Sequence, residues 1–217
     1  MIRAAVFQEY FQRYKDGVLI ALLLIFYTVG TIGLLSEDRE SFLELSFLNL
    51  AISFGVLLLA RISHSWKFYL FCLIGFFIGM SAEWIGVHTG YLFGEYKYGP
   101  NLGPQWWNVP FIIGINWIML TIISGAIADK TNFHWLIKAI IGTLLMLALD
   151  LLIEPVAIQS NYWIWNGEIP LSNFIGWFGV ALLIQILYFG MRLNEPNKVA
   201  LVLYFIQLSF FSIQNIF

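Results

Sequence analysis

Apolar residues along the chain gather into blocks of about 20, each closed by a short polar or charged stretch, rather than alternating as they do in a half-buried strand. A helix that crosses a bilayer needs about 20 mostly apolar residues. Seven blocks approach that length: residues 17–35, 42–60, 68–87, 109–128, 134–153, 171–191 and 198–216. The pattern predicts an all-α polytopic membrane protein of about seven transmembrane helices, folded as one domain over residues 1–217. Two connections are longer than the rest, 88–108 and 154–170, and no internal repeat is visible. Ahead of the first block, Ile2, Val6, Phe7, Tyr10, Phe11 and Tyr14 recur at helical spacing, which predicts a short helix lying in the membrane interface. The first block reads as a retained span. It is too long for the apolar core of a signal peptide, and Ser36-Glu37-Asp38 follow it with no small-residue cleavage site.

Composition strengthens this reading. Hydrophobic residues make up 60% of the chain and charged residues 11%, where a soluble domain carries about 25% charged. The net charge is −2 with no basic run, which argues against a nucleic-acid partner. A single cysteine, Cys72, excludes an intrachain disulfide and any CxxC metal site.

Charge also sets orientation, because short cytoplasmic loops hold the excess of Lys and Arg. With the N-terminus cytoplasmic, inner segments carry Arg3, Arg13, Lys15, Arg61, Lys67, Lys130, Lys138, Arg192 and Lys198, and outer ones only Arg39 and Lys97. That is nine against two of the eleven basic residues. Both long connections then face outward, at the ends of the third to sixth spans. A retinal protein is excluded, since the last span has no lysine at depth, only Lys198 at its inner end.

Those four outer ends hold most of the unusual residues. Glu83 and Asp150 each fall inside an apolar span, about one turn below its outer end. A charge at the centre of a span costs roughly 2.5–3.5 kcal/mol on insertion scales, so such residues normally face the bundle interior and serve a purpose. Glu154 follows Asp150 by four positions and shares its helix face. Burial and a like charge both help one carboxyl of such a group to keep its proton near neutral pH, ready to donate it. The plain alternative is that Glu83 and Asp150 bond Lys, Arg or Tyr to lock helices together, with Glu154 solvated at a helix end.

Around the acids stand Tyr96, Tyr98, Trp107, Trp163, Trp165, Asn173 and Trp177, with His88 just past the third span. Six tryptophans, Trp84, Trp106, Trp107, Trp163, Trp165 and Trp177, fall on the outer side. Interfacial belts place Trp and Tyr at both faces, so a pocket for a flat apolar ligand explains the asymmetry better than a belt. Aromatic faces also stabilise cations. A lone histidine is more often a hydrogen-bonded loop residue than a ligand, and three scattered histidines cannot build a His-rich iron site. Nothing in the residues calls for a metal or another cofactor, and no oligomeric state follows from them.

In these stretches the sequence resembles the carotenoid 1,2-hydratase family, which includes bisanhydrobacterioruberin hydratase and γ-carotene 1′,2′-hydratase. The residues that carry the likeness are Glu83-x-x-Gly86-Val87-x-Thr89-Gly90-x-x-Phe93-Gly94-x-Tyr96-x-Tyr98, Leu102-Gly103 and Val109-Pro110. Further along they are Asp150, Glu154-Pro155, Tyr162-Trp163-x-Trp165, Pro170, Asn173 and Trp177. The resemblance implies a cofactor-independent carotenoid biosynthesis enzyme of the bacterial cytoplasmic membrane. Its partners would be membrane lipid, a long polyene and water, which it would add across the terminal double bond of an acyclic ψ end. Asp150 would protonate C2′, and aromatic faces such as Trp107, Trp163 and Trp165 would stabilise the tertiary cation at C1′. Water held by Glu83 or Glu154, helped by Tyr96, Tyr98 or Asn173, would then attack. His88 and Trp177 would complete the substrate site.

Two other classes fit the same residues. A small membrane lycopene cyclase would begin with the same protonation, but a neighbouring double bond would capture the cation. A non-enzymatic carrier of an apolar ligand or proton would use the acids as relay groups, but it would favour inverted repeats or helices broken at mid-membrane. A purely structural subunit gives no reason for acids and aromatics to converge.

Overall fold

The computed structural model describes residues 2–217, with side chains from Tyr10 onward. Eight helices follow in chain order: α1 (Ile2–Leu34), α2 (Arg39–Glu44), α3 (Ser46–Ala60), α4 (Trp66–Thr89), α5 (Phe111–Ala128), α6 (Trp135–Gln159), α7 (Leu171–Gly190) and α8 (Lys198–Ile216). Six of them, all but α2 and α3, are long and apolar enough to cross a membrane. The apolar helix α3 is the seventh element of the bundle. Its 15 residues reach about 22 Å at the 1.5 Å rise of a helix, short of a hydrocarbon core of about 30 Å. The expected second span over 42–60 is therefore divided at Leu45. Arg39 holds α2 against the neighbouring helix ends, donating to the Leu34 carbonyl at 3.0 Å and to Ser160 Oγ at 3.1 Å.

The N-terminal segment also departs from expectation. Instead of a separate interfacial helix, the backbone is one continuous helix from Ile2 to Leu34. The junction holds neither proline nor a charge repulsion to break it, and Gln12 Nε2 donates across it to Asp16 Oδ1 at 3.0 Å. Tyr10, Phe11 and Tyr14 are exposed, and the side chains of Ile2, Val6 and Phe7 lie outside the described residues.

Helix ends follow local chemistry. Ser65 caps α4 by accepting from the Phe68 amide, and Asn197 caps α8 by accepting from the Ala200 amide at 2.9 Å. Pro110 and Pro170 precede α5 and α7 with extended backbone, where a missing N–H costs nothing. Gly90 closes α4 in the left-handed region at φ 65°, returning its N–H to the Gly86 carbonyl.

The middle of the bundle is α5, with 14 of its 18 residues buried and with α3, α4, α6, α7 and α8 packed around it. Small residues let it sit close. A Cβ on Gly79 of α4 would come within 2.6 Å of the Trp117 ring on α5. That approach sets the depth of Trp117, and the same device recurs wherever membrane helices lack a hydrophobic drive to associate. At one end of the bundle Asp129 pairs with Lys138 at 2.7 Å and accepts from Asn194 at 2.9 Å. The site lies at the other end.

There the two long connections form small sheets that alternation in the sequence did not lead us to expect. Strand β1 (Tyr96–Tyr98) follows α4, and β4 (Trp163–Trp165) follows α6. They pair antiparallel with Tyr96 opposite Trp165 and Tyr98 opposite Trp163. Between them in sequence, β2 (Gln105–Trp106) pairs with β3 (Val109–Pro110) through a two-residue turn at Trp107 and Asn108. Both turn residues have positive φ, 49° and 63°, as a primed hairpin turn requires.

Candidate active site

Three carboxyls converge beneath the β1–β4 ribbon, Glu83 from α4 and Asp150 and Glu154 from α6. They are nearly or fully shut off from solvent, at 3%, 0% and 3% exposure. Both helices run further than the hydrophobic pattern indicates: α4 to Thr89 and α6 through Pro155 to Gln159. Glu154 is thus an interior residue of its helix rather than a solvated end. Asp150 lies nine residues inside α6, about 13 Å below its end by helical rise, deeper than the one turn expected.

The ribbon supplies donors because alternate strand residues point the same way. Tyr96 and Tyr98 turn down to the acids, while Lys97 between them is exposed. Tyr96 Oη and Tyr98 Oη donate to Glu83 Oε2 at 2.6 and 2.8 Å. The indole Nε1 of Trp117 donates to Glu83 Oε1 at 3.0 Å. From the partner strand, Trp163 Nε1 donates to Glu154 Oε1 at 2.8 Å, and Trp165 Nε1 donates to the same oxygen. Burial first, and the Glu83 charge next, hold the Tyr96 and Tyr98 phenols well above their ordinary value of 10. Both stay O–H donors.

Asp150 differs from its neighbours. Neither of its oxygens has a hydrogen-bond partner among the described residues. A buried polar group without a partner costs about 1–3 kcal/mol, so an orphaned carboxyl aimed into a pocket calls for a functional account. Five aromatic donors serve Glu83 and Glu154, and none serves Asp150. The environment sorts three similar acids into two anchored ones and one free one.

Nine of the eleven residues expected at the site line this pocket: Glu83, Asp150, Glu154, Tyr96, Tyr98, Trp163, Trp165, Asn173 and Trp177. Two do not. His88 lies in the last turn of α4 rather than beyond it, exposed, with Nδ1 2.9 Å from the Trp84 carbonyl and its ring stacked on Trp84. Trp107 is 63% exposed at the hairpin tip and stacks on Trp106. The aromatic excess at this end is therefore two groups, a pocket lining and a surface cluster of Trp84, Trp106 and Trp107. The surface cluster has the character of an interfacial belt.

Sequence reasoning missed Trp117 and Asn116. The Trp117 ring stacks on Trp177 with centroids 4.0 Å apart, backing the pocket. Asn116, its neighbour on α5, lines both the acid pocket and a second cavity. A Trp and an Asn side by side in an otherwise apolar span were the available signal. Trp117 alone reads as core.

The second cavity is a largely apolar groove among α1, α3, α5, α6 and α8, enclosing about 1160 Å³ of space, part of it open to the surroundings. Its walls include Phe26, Val29, Leu48, Phe210 and Phe211. It shares Ile113, Asn116, Ile153 and Trp163 with the acid pocket. An apolar channel thus abuts three buried acids.

A family model described as carotenoid biosynthesis protein matches residues 43–216, from α2 to the end of α8. The chain belongs to the carotenoid biosynthesis protein family. Membership ties the chain to carotenoid biosynthesis, and its apolar helices make it an integral membrane protein. A bisanhydrobacterioruberin hydratase from Haloarcula japonica is 28% identical over 118 residues, 47% of this chain. The match spans 39% of that relative's length. No solved structure matches the chain.

Proposed function

We propose that this carotenoid biosynthesis protein is a hydratase that adds water across the terminal 1′,2′ double bond of an acyclic ψ end group. The observation that carries this reading is Asp150, the one buried acid without a donor among the described residues, beside an apolar groove. The hydratase name of the Haloarcula relative agrees with it.

In this mechanism the polyene lies in the groove and its end passes Ile113 and Ile153 into the acid pocket. Asp150, in its neutral acid form, transfers its proton to C2′ as the π bond opens, leaving a tertiary cation at C1′. The ring faces of Trp163 and Trp165 and the anchored Glu83 and Glu154 stabilise that cation. Water attacks C1′ and releases a proton to the Asp150 carboxylate, which restores the acid and balances the reaction. No redox step occurs.

We assign the two glutamates different roles, and their hydrogen bonds support the division. Glu83 accepts on both oxygens, whereas both donors to Glu154 use Oε1. Glu154 Oε2 is therefore the oxygen assigned to hold the water, and Glu83 the one that seats the ribbon. In the cell this end of the bundle faces outward across the bacterial cytoplasmic membrane, a placement supported by the excess of Lys and Arg at the other end.

Expression in cells that accumulate lycopene and γ-carotene, with pigments separated and weighed by mass spectrometry, tests the proposal. The expected product is heavier by one water with an unchanged chromophore. An isomer of unchanged mass that absorbs at shorter wavelength would mean capture of the cation by a neighbouring double bond, and the protein would be a cyclase.

A further inference from the structure

The cation at C1′ has two fates, capture by water or by a neighbouring double bond, and the acid pocket contains a feature that selects between them. We infer that Asn116 is a positioning residue that holds the attacking water, and so sets hydration as the outcome. The inference rests on the hydratase reading.

Three observations carry it. First, Asn116 is fixed in place by its neighbour. Trp117 is held by its bond to Glu83, by stacking on Trp177 and by the close approach of Gly79. That fixes the rotation of α5 and sets the Asn116 carboxamide on the wall between groove and acid pocket. Second, a buried amide that lines the same pocket as the half-buried Asn116 is unsatisfied. Asn173, on the first turn of α7, is 2% exposed and its Nδ2 has no partner. Third, the space fits. The acid pocket leaves about 30 Å³ in which a water can centre, where one bound water needs roughly 10–15 Å³ and two to four polar partners. The Asn173 Nδ2 donor, the Asn116 carboxamide and Glu154 Oε2 make three.

An apolar pocket wall would leave the cation dry and favour ring closure or return of the proton. A carboxamide at the junction keeps a water where the end group enters. Because an amide offers both donor and acceptor, it can orient that water with a lone pair towards C1′ without taking part in proton transfer.

The test is a single turnover in D₂O with purified full-length protein in excess over an acyclic carotenoid. Asp150 then carries a deuteron. Its transfer forms a C2′–D bond, and the cation either gains water or gives a proton back to the carboxylate, which leaves deuterium in the recovered alkene. For Asn116→Leu we expect alcohol formation to fall by about 100-fold, the scale of loss from misplacing a reactant by an ångström. Deuterium exchange into the alkene should persist, and cyclised isomer should rise. Asn116→Ser, which retains a donor and an acceptor, should recover most of the alcohol. Alcohol and exchange falling together in Asn116→Leu, or alcohol unaffected, would overturn the assignment. Wild-type protein that exchanges deuterium but forms only isomer would instead overturn the hydratase reading.

Discussion

Amide substitutions at Asp150 and Glu83 should separate chemistry from architecture, because the two acids differ in what they bond. Asp150→Asn removes the transferable proton while keeping the side-chain shape. Neither Asp150 oxygen accepts a hydrogen bond among the described residues, so the substitution breaks no bond and should alter stability by under about 1 kcal/mol. Its effect on pigment conversion should be large. General acid catalysis contributes about 10²–10⁴-fold, which corresponds to roughly 3–5 kcal/mol of barrier. Glu83→Gln behaves in the opposite way. The amide oxygen can keep Tyr96 and Tyr98, but its NH₂ then faces the Trp117 indole N–H. One buried donor is orphaned at about 1–3 kcal/mol, and two charge-assisted bonds weaken to neutral ones at about 1 kcal/mol each. The total is about 3–5 kcal/mol, or roughly 6–20 °C in melting temperature for a chain of this size. Thermal unfolding in detergent and pigment analysis of the same preparations read both axes. Full conversion by Asp150→Asn would refute its assignment as donor. A melting point lowered as far as that of Glu83→Gln would refute the claim that its oxygens are free.

Alkaline stability should report the ribbon. Tyr96 and Tyr98 sit well above their ordinary value of 10 in the folded state, so the stability they contribute is present below pH 10 and lost as pH rises beyond it. Melting temperature should therefore drop above about pH 10, more steeply than in a Tyr96→Phe/Tyr98→Phe variant, whose starting stability is lower. Gly86→Ala should displace the ribbon, because a Cβ there would lie 2.6 Å from Phe93 and 2.7 Å from Tyr96 Oη; lost conversion alongside a retained helical circular-dichroism spectrum is the expected result. His88→Ala and Trp107→Ala should leave conversion unchanged, since both side chains are exposed away from the pocket.

The helices and the acid cluster were largely legible in the sequence, and the exceptions have physical causes. Glu83 and Asp150 stand out because charge inside an apolar block is costly enough to demand a reason. Glu154 was legible as a neighbour of Asp150 but not as buried. Pro155 directly after it looks like a helix stop, yet α6 continues for four more residues, its end tied down through the Ser160 bonds to Arg39 and Asn101. The ribbon was hidden by its brevity, since three-residue strands carry too few positions to show a period. In hindsight Tyr-Lys-Tyr and Trp-Ile-Trp do alternate, and their pairing depends on contacts some 65 residues apart. That Trp163 lines the pocket while Trp107 is exposed was beyond reach for the same reason. Both are Trp in a polar connection, and only the strand register and the turn at Trp107 distinguish them.

The choice of partners for the acids gives the chemistry its sign. Buried carboxylates are commonly matched by Lys or Arg, yet both ion pairs among the described residues lie elsewhere, Arg61 with Glu195 and Lys138 with Asp129. At the site, every donor is a neutral phenol or indole. A unit positive charge about 5 Å from a developing carbocation would raise its energy by about 3 kcal/mol at an effective dielectric of 20, enough to slow its formation more than a hundredfold. Phenol and indole donors stabilise a carboxylate without adding that repulsion, so the field at the pocket stays negative and favours the cation. The same rings present π faces that attract it. Replacing Trp165 by Lys would supply Glu154 with a charged donor, and would give up the packing of the Trp165 ring against Tyr96, 5.1 Å away between centroids. It should abolish conversion, whereas Trp165→Tyr, a neutral donor with a ring, should retain part of it. Equal conversion by the Lys and Tyr variants, measured on pigments from matched membrane preparations, would show that charge at this position is irrelevant and that no cation forms there.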